Sequence, residues 1–273
     1  MEGPVNRSLN PVHLLVYLVK IFEIARAACP TLDKELLRSG LTCPEKEHIW
    51  ELHNRLRQII AVGQVGQPPA RNMVEMTWDD ELASKAQALA DTCRYGHDGA
   101  SQRAVGRFRV GQNIGMTWIT LKQRAEPNFA SRIYAWFEEV KKYKFGNPFS
   151  PVTGHYTQMV WQDTSHIGCG YSYYLDGQRY TKVYVCNYGP TGNIIGYDPY
   201  ESGQFACDAK GLAFSKKYYG LCDWRAETFY ITKDQCNERR VKNHYLNTRK
   251  EKVGFSIFSV NLLHFLKTVE EVE

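Results

Sequence analysis

The sequence predicts an α+β fold, in which helices come first and an antiparallel group of strands follows. In the first half, apolar residues recur at the three- and four-residue spacing of amphipathic helices. Between residues 156 and 188 they form shorter runs, two of which are joined by an Asp-Gly turn. Beyond residue 192 the chain is rich in Gly, Tyr and Cys and has no regular period. This order indicates helices layered against a sheet, with an irregular end.

The first predicted helix begins near Pro44 and ends near Gly63. Proline is favoured at the start of a helix, and Glu45 and Glu47 suit the positive end of the helix dipole. Apolar residues at helical spacing follow, namely Ile49, Leu52, Leu56, Ile59 and Ile60.

A second helix is predicted after Asp79, a favoured N-cap residue, and it leads to His97 in the segment RYGHD. A third helix is predicted over residues 128–145. In it Glu138 and Glu139 are adjacent, so only one of them can point into a site that the other faces away from.

Three strands are predicted, over residues 156–162, 168–175 and 180–188. His155, at the entrance to the first, is either a satisfied structural histidine or a rigid imidazole able to bind a metal or move a proton. The segment GQNIG at residues 111–115 is read as a polar stretch bounded by glycines. It lacks the spacing and the lysine of a phosphate-binding loop.

Composition limits the function classes. The net charge of +5 is spread along the chain, which gives weak support for an anionic partner and none for sequence-specific nucleic-acid binding. The eight cysteines include no CxxC pair, so a zinc ribbon or a thioredoxin-type site is not indicated. Their even number and wide spacing favour disulfides in an oxidising compartment.

The N-terminal segment 1–28 resembles a poor signal peptide. An apolar run ends in the small residues Ala27 and Ala28, but Lys20 and Glu23 interrupt it. The alternative is an amphipathic helix kept in the mature chain. No uninterrupted apolar run is long enough for a transmembrane helix.

Ordered motifs from Cys29 to Cys222 resemble the CAP superfamily of cysteine-rich secretory, antigen-five and pathogenesis-related proteins. The motifs are HNRLR, PPARNM, WDDELASKAQALADTC, RYGHD, GQNIG, WFEEVKKY, GHYTQMVW and CNYGPTGN. RYGHD and GQNIG are most similar to the arthropod antigen-five branch. The resemblance implies a secreted protein with a three-layered α-β-α sandwich over residues 29–204 and a C-terminal extension over 205–273.

The resemblance also implies a polar cleft formed by His97, Gln112, Glu139 and His155. Family members usually carry two histidines and two glutamates at these positions, where the histidines can hold a divalent ion such as zinc. We therefore expect His97, Glu139 and His155 as weak metal ligands. Gln112 replaces one glutamate, which removes a negative charge and should weaken metal binding.

We expect the cysteines to form four disulfides, of which Cys169–Cys186 resembles a pair of the antigen-five branch. The expected pairs are Cys169–Cys186, Cys29–Cys93, Cys207–Cys222 and Cys43–Cys236. Each disulfide contributes on the order of 2 to 4 kcal/mol to stability.

The leading functional hypothesis is a secreted, non-enzymatic binder of small hydrophobic ligands such as sterols, fatty acids or eicosanoids, as the family resemblance implies. Two alternatives stay open. One is a metal-dependent hydrolase using the His/Glu cleft, for which no activated nucleophile is evident. The other is a module that binds an extracellular protein such as a channel or receptor.

Overall fold

The computed structural model describes Cys29 and residues 33–224. Four helices occur in this part: α1 (Cys43–Ala61), α2 (Asp80–Ala90), α3 (Phe129–Phe137) and α4 (Gly154–Met159). The longer strands are β1 (Lys34–Ser39), β3 (Gly111–Ile119), β4 (His166–Asp176) and β5 (Arg179–Gly189). Short strands β2 (Thr77–Trp78), β6 (Ala213–Phe214) and β7 (Cys222–Asp223) complete the set.

The main sheet has the order β1-β4-β5-β3, and its long strands are antiparallel. Strand β2 runs parallel to the start of β4. The β4–β5 hairpin closes at Asp176 and Arg179, with Gly177 at a φ of +58°, as the Asp-Gly turn predicts. Strand β3 lies at one edge of the sheet, and this edge position governs the candidate site.

The side chains of β5 alternate between two cores, one on each face of the sheet. Tyr184, Cys186 and Tyr188 pack with the apolar residues of α1, α3 and α4. Val183 and Val185 face the other way and pack with α2. The result is the three-layered α-β-α sandwich that the family resemblance implies.

Helix α2 lies so close to the sheet that only glycine fits beneath it. A Cβ atom at Gly168 would overlap the backbone nitrogen of Ala83, and one at Gly170 would overlap that of Gln87. The side chain of Gln87 links α2 to the sheet at this close approach. Its Nε2 donates to the carbonyl of Tyr171 at 2.9 Å, and its Oε1 accepts from the Tyr171 N–H at 2.9 Å.

The first two predicted helices are confirmed. Thr42 caps α1, and Pro44 lies in its first turn. Asp79 caps α2 by accepting a hydrogen bond from the Leu82 N–H at 2.9 Å. The third predicted helix is too long, since α3 ends at Phe137 and continues only as a 3-10 turn over Glu138–Lys142.

The strand predicted over residues 156–162 is wrong, because Gly154–Met159 is the helix α4. A short apolar run fits either period, so spacing alone could not distinguish the two. The helix is favoured by Glu139, whose Oε2 accepts from the N–H groups of His155 and Tyr156 at 2.9 and 3.1 Å. First-turn donors otherwise lack partners within a helix.

The polar stretch at residues 111–115 is the beginning of strand β3, which sequence analysis missed. Its Gln112 and Asn113 pair with Asn187 and Cys186 of β5. Polar side chains can occupy this edge because other elements supply their hydrogen-bond partners, as described below.

Three of the expected disulfides are confirmed, namely Cys29–Cys93, Cys169–Cys186 and Cys207–Cys222. Cys43 is also disulfide-bonded, but its expected partner Cys236 lies outside the described residues. So do residues 1–28 and residues 225–273, on which the signal-like segment and most of the extension were predicted.

The part of the extension that is described, up to Trp224, packs on the sandwich. The Cys222 N–H donates to the carbonyl of Met73 at 2.8 Å, and the carbonyl of Cys222 accepts from the Glu75 N–H at 2.7 Å. Within the described residues, no helix has the length and apolar character needed to cross a membrane.

Candidate functional site

The candidate site is built around the edge strand β3, whose neighbouring side chains point to opposite faces. Gln112 lies on the α2 side, where it meets Asn187. Asn113 lies on the other side, where its Nδ2 donates to the carbonyl of His155 at 3.1 Å. The two predicted site histidines therefore approach this edge from different layers of the sandwich.

Glu139 holds His155. Its Oε1 lies 2.7 Å from the ring Nδ1 of His155, while its Oε2 accepts the backbone N–H of the same residue. The imidazole stacks on Trp136, with ring centroids 5.8 Å apart and planes inclined by 14°. Since a carboxylate only accepts hydrogen bonds, Nδ1 carries the proton, and the Nε2 lone pair of the neutral ring is left for a ligand.

His97 is held by Gln112 in a corresponding way. Its Nδ1 lies 2.9 Å from Oε1 of Gln112. The amide nitrogen of Gln112 donates to Oδ1 of Asp98 at 3.1 Å and to Oδ1 of Asn187 at 2.9 Å. Asp98 is in turn paired with Arg103, with 2.7 Å between Oδ1 and Nη1.

A buried hydrogen-bond chain lies beneath the His155 side of the site. Asn113 Nδ2 donates to the hydroxyl of Tyr188 at 3.3 Å, and that hydroxyl lies 3.0 Å from Nε2 of His53. Nδ1 of His53 donates to the carbonyl of Ile49 at 2.8 Å. Burial lowers the pKa of His53 to about 4 and raises the pKa of Tyr188, so both groups are neutral and structural at pH 7.

Arg57 anchors the far end of α4. Its guanidinium is completely buried and donates to the carbonyls of Met159 and Trp161 at 2.9 and 2.8 Å. Further bonds reach the carbonyls of Val74, Gln162 and Thr164. Burial lowers the pKa of Arg57 to about 9.

All four residues predicted for the cleft thus occur in two pairs, His155 with Glu139 and His97 with Gln112. Sequence analysis missed Asp98 and Asn113, which position the members of these pairs. A signal for them existed, since each is a polar residue directly beside a predicted site residue.

The metal assignment of His97, Glu139 and His155 stays a prediction. Among the described residues, no group of three or more His, Cys, Asp or Glu side chains is arranged to hold a metal ion. Both carboxylate oxygens of Glu139 accept hydrogen bonds, from His155 and Tyr156. A carboxylate bonded in this way typically orients a metal-binding histidine rather than binding the metal itself. The Nε2 atoms of His97 and His155 are then the candidate metal ligands, since imidazole nitrogen is a suitable ligand for zinc.

A separate pocket of about 620 Å³ lies against the loop that precedes β3. The residues that line it are mostly small or apolar, with Phe108 as the one aromatic residue, and they include Arg107 and Arg109. Both arginines are exposed, and Arg107 is paired with Asp79 at 2.7 Å and with Glu81 at 3.0 Å.

Comparison with known proteins gives consistent matches. Residues 50–188 match CAP, the cysteine-rich secretory protein family. Salivary antigen-5 of Dipetalogaster maximus is 40% identical over 217 residues, which cover 77% of this chain and 86% of that protein. Venom allergen 5 of Tityus serrulatus is 39% identical over 214 residues, covering 71% of this chain and 51% of that protein.

Among solved structures, NaASP2 with Zn2+ superposes with a TM-score of 0.54 at 28% identity, covering 71% of this chain and 100% of that one. BmVAL-1 superposes with a TM-score of 0.57 at 24% identity, covering 68% of this chain and 96% of that one, which supports the fold. The resemblance to arthropod antigen-five proteins is confirmed, and the chain belongs to the CAP family of cysteine-rich secretory proteins.

Proposed function

We propose that this chain is an extracellular protein of the antigen-5 type that binds small hydrophobic ligands without chemical turnover. Its similarity to proteins named salivary antigen-5 and venom allergen 5 supports release from the cell. The three disulfides within the described residues support folding in an oxidising compartment.

The observation that carries the ligand proposal is the pocket before β3. Its volume of about 620 Å³ lies within the range typical of small-molecule sites. The apolar wall suits a hydrocarbon body, and Arg109 offers an exposed positive charge for an acidic head group. Among sterols, fatty acids and eicosanoids, the arginines favour the two acidic classes.

The test begins with organic extraction of the secreted full-length protein and mass spectrometry of what it carries. Binding of a fluorescent fatty acid is then compared with binding of a fluorescent sterol. Ala104→Trp should fill the pocket and weaken fatty-acid binding at least about tenfold, the effect of losing ~1.4 kcal/mol of binding free energy.

Ala88→Trp is the matched control, because Ala88 is also exposed but lies outside this pocket. It should leave binding unchanged. A protein that carries no lipid and takes up neither probe would contradict the proposal.

A weak divalent-metal site at His97 and His155 is a second part of the proposal. The two Nε2 lone pairs, each backed by an acceptor at Nδ1, support it, as does the zinc named for the NaASP2 structure. Zinc titration by calorimetry should give a heat signal that either His97→Ala or His155→Ala abolishes. His48→Ala, on α1, should leave the signal intact. Equal zinc binding by all four proteins would refute this part.

A further inference from the structure

The amide of Gln112 has only one orientation that satisfies its neighbours. On one side lie Oδ1 of Asp98 and Oδ1 of Asn187, at 3.1 and 2.9 Å. The Asp98 carboxylate can only accept hydrogen bonds, so the Gln112 group facing it must be the NH2. The carbonyl oxygen of Gln112 therefore faces His97.

The hydrogen bonds of Asn187 indicate the same orientation of the Gln112 amide. Nδ2 of Asn187 donates to the carbonyl of Leu82 at 3.2 Å, and a backbone carbonyl can only accept. The other end of the Asn187 amide is thus its oxygen, which needs a donor from Gln112. Two independent acceptors, on different elements, orient the same glutamine.

We propose that Gln112 is a positioning residue that fixes His97 as the neutral Nδ1–H tautomer. The carbonyl of Gln112 lies 2.9 Å from Nδ1 of His97 and can only accept, so this nitrogen must carry the proton. The lone pair of His97 is then on Nε2, the ring nitrogen available to a ligand of the cleft.

The neighbours of Gln112 also explain why an amide occupies this position. A carboxylate would accept from His97 equally well, but it could not donate to Asp98 and Asn187. It would also place a second negative charge beside Asp98, whose side chain is 7% exposed and already paired with Arg103. In this chain the carboxylate belongs to Asp98, which accepts a hydrogen bond from the Gln112 amide nitrogen. The Gln112 carbonyl in turn faces His97, so the charge of Asp98 polarises a hydrogen-bond chain that runs from Asp98 through Gln112 to His97.

Nuclear magnetic resonance tests the tautomer directly. The full-length protein is labelled with ¹⁵N-histidine, freed of metal with a chelator and held at pH 8.5, where imidazoles are neutral. Long-range ¹H–¹⁵N correlations then separate protonated from bare ring nitrogens, and a His97→Gln protein identifies the resonances. The Nδ1–H form of His97 should exceed the Nε2–H form by about tenfold, as one ordinary hydrogen bond requires.

Three variants separate positioning from general structure. Gln112→Leu removes the acceptor and should cancel the preference for Nδ1–H, whereas Gln112→Glu keeps an acceptor and should restore it. Gln102→Leu is the matched control, because Gln102 belongs to the loop that carries His97 and its side chain accepts from the Gly99 N–H rather than from His97. It should leave the tautomer unchanged.

A wild-type protein with mainly the Nε2–H form of His97 would overturn the proposal whether or not any variant folds. So would a folded Gln112→Leu protein whose tautomer is unchanged, or a Gln102→Leu protein that changes as Gln112→Leu does. The measurement reports on no lipid, so failure here leaves the hydrophobic-ligand proposal standing.

Discussion

Glu139 contacts His155 through both of its carboxylate oxygens. One oxygen lies 2.7 Å from the ring Nδ1 of His155, and the other accepts the backbone N–H of the same residue at 2.9 Å. The same carboxylate thereby orients the imidazole and closes the first turn of α4. The 3-10 turn after α3 and the start of α4 are joined through this single side chain.

Removing this carboxylate should destabilise the fold. Glu139→Ala leaves two helix N–H groups and a ring N–H without their acceptor, so we expect the free energy of unfolding to fall by about 2 to 3 kcal/mol. Urea denaturation measures the change. Glu138→Ala is the control, because Glu138 pairs with the exposed Lys141, and it should cost less than about 1 kcal/mol. Equal losses for the two variants would show that Glu139 has no special role.

Arg57 should not tolerate replacement by lysine. Lysine keeps the charge but has three donors on a point-like group, so it cannot reach the carbonyls of Val74, Met159 and Trp161 together. We expect Arg57→Lys to lower the free energy of unfolding by about 3 kcal/mol, the cost of leaving buried polar groups unpaired. Arg55→Lys changes an exposed arginine of the same helix and should stay within about 0.5 kcal/mol. Chemical denaturation compares the two, and a stable Arg57→Lys protein contradicts the assignment.

His53 should make the protein less stable in mild acid. Burial lowers its pKa to about 4 in the folded state, against an ordinary value of 6.5. Below pH 6.5 the unfolded chain therefore binds a proton at this ring that the folded protein does not. The free energy of unfolding consequently falls as pH drops from about 6.5 to about 4.

Between pH 7 and pH 5 this single group should account for about 2 kcal/mol of lost stability. His53→Gln has no titrating ring at this position, so its stability should fall by that much less over the same interval. Urea denaturation of both proteins at the two pH values gives the difference. Identical pH dependence would mean that His53 protonates freely in the folded state.

Gly168 and Gly170 should be essential to the contact between α2 and the sheet. A methyl group at either position meets helix backbone, which cannot move aside as a flexible side chain can. We expect Gly170→Ala to cost at least about 3 kcal/mol, measured by thermal or urea denaturation. Gly106→Ala is the control, since nothing lies within 4 Å of its added methyl group, and it should be neutral or slightly stabilising. A Gly170→Ala protein of normal stability would contradict the close contact between α2 and the sheet at this position.

Much of the fold could be predicted because its signals are local. The period of α1, the Asp79 cap of α2 and the Asp-Gly turn of the hairpin depend on neighbouring residues. The residues of the candidate site were also predicted, but only through resemblance to a family. Nothing in their local sequence pairs Gln112 with His97, which lies fifteen residues away.

By itself, the sequence determined the helices with long apolar periods, the hairpin and the cysteines available for disulfides. Only the tertiary structure decided that residues 154–159 form a helix, because the carboxylate that accepts its first N–H groups comes from Glu139. Only the tertiary structure, likewise, orients Gln112, because Asp98 and Asn187 reach it from a loop and a neighbouring strand. Hydrogen bonds between distant segments choose among states that local spacing leaves equally possible.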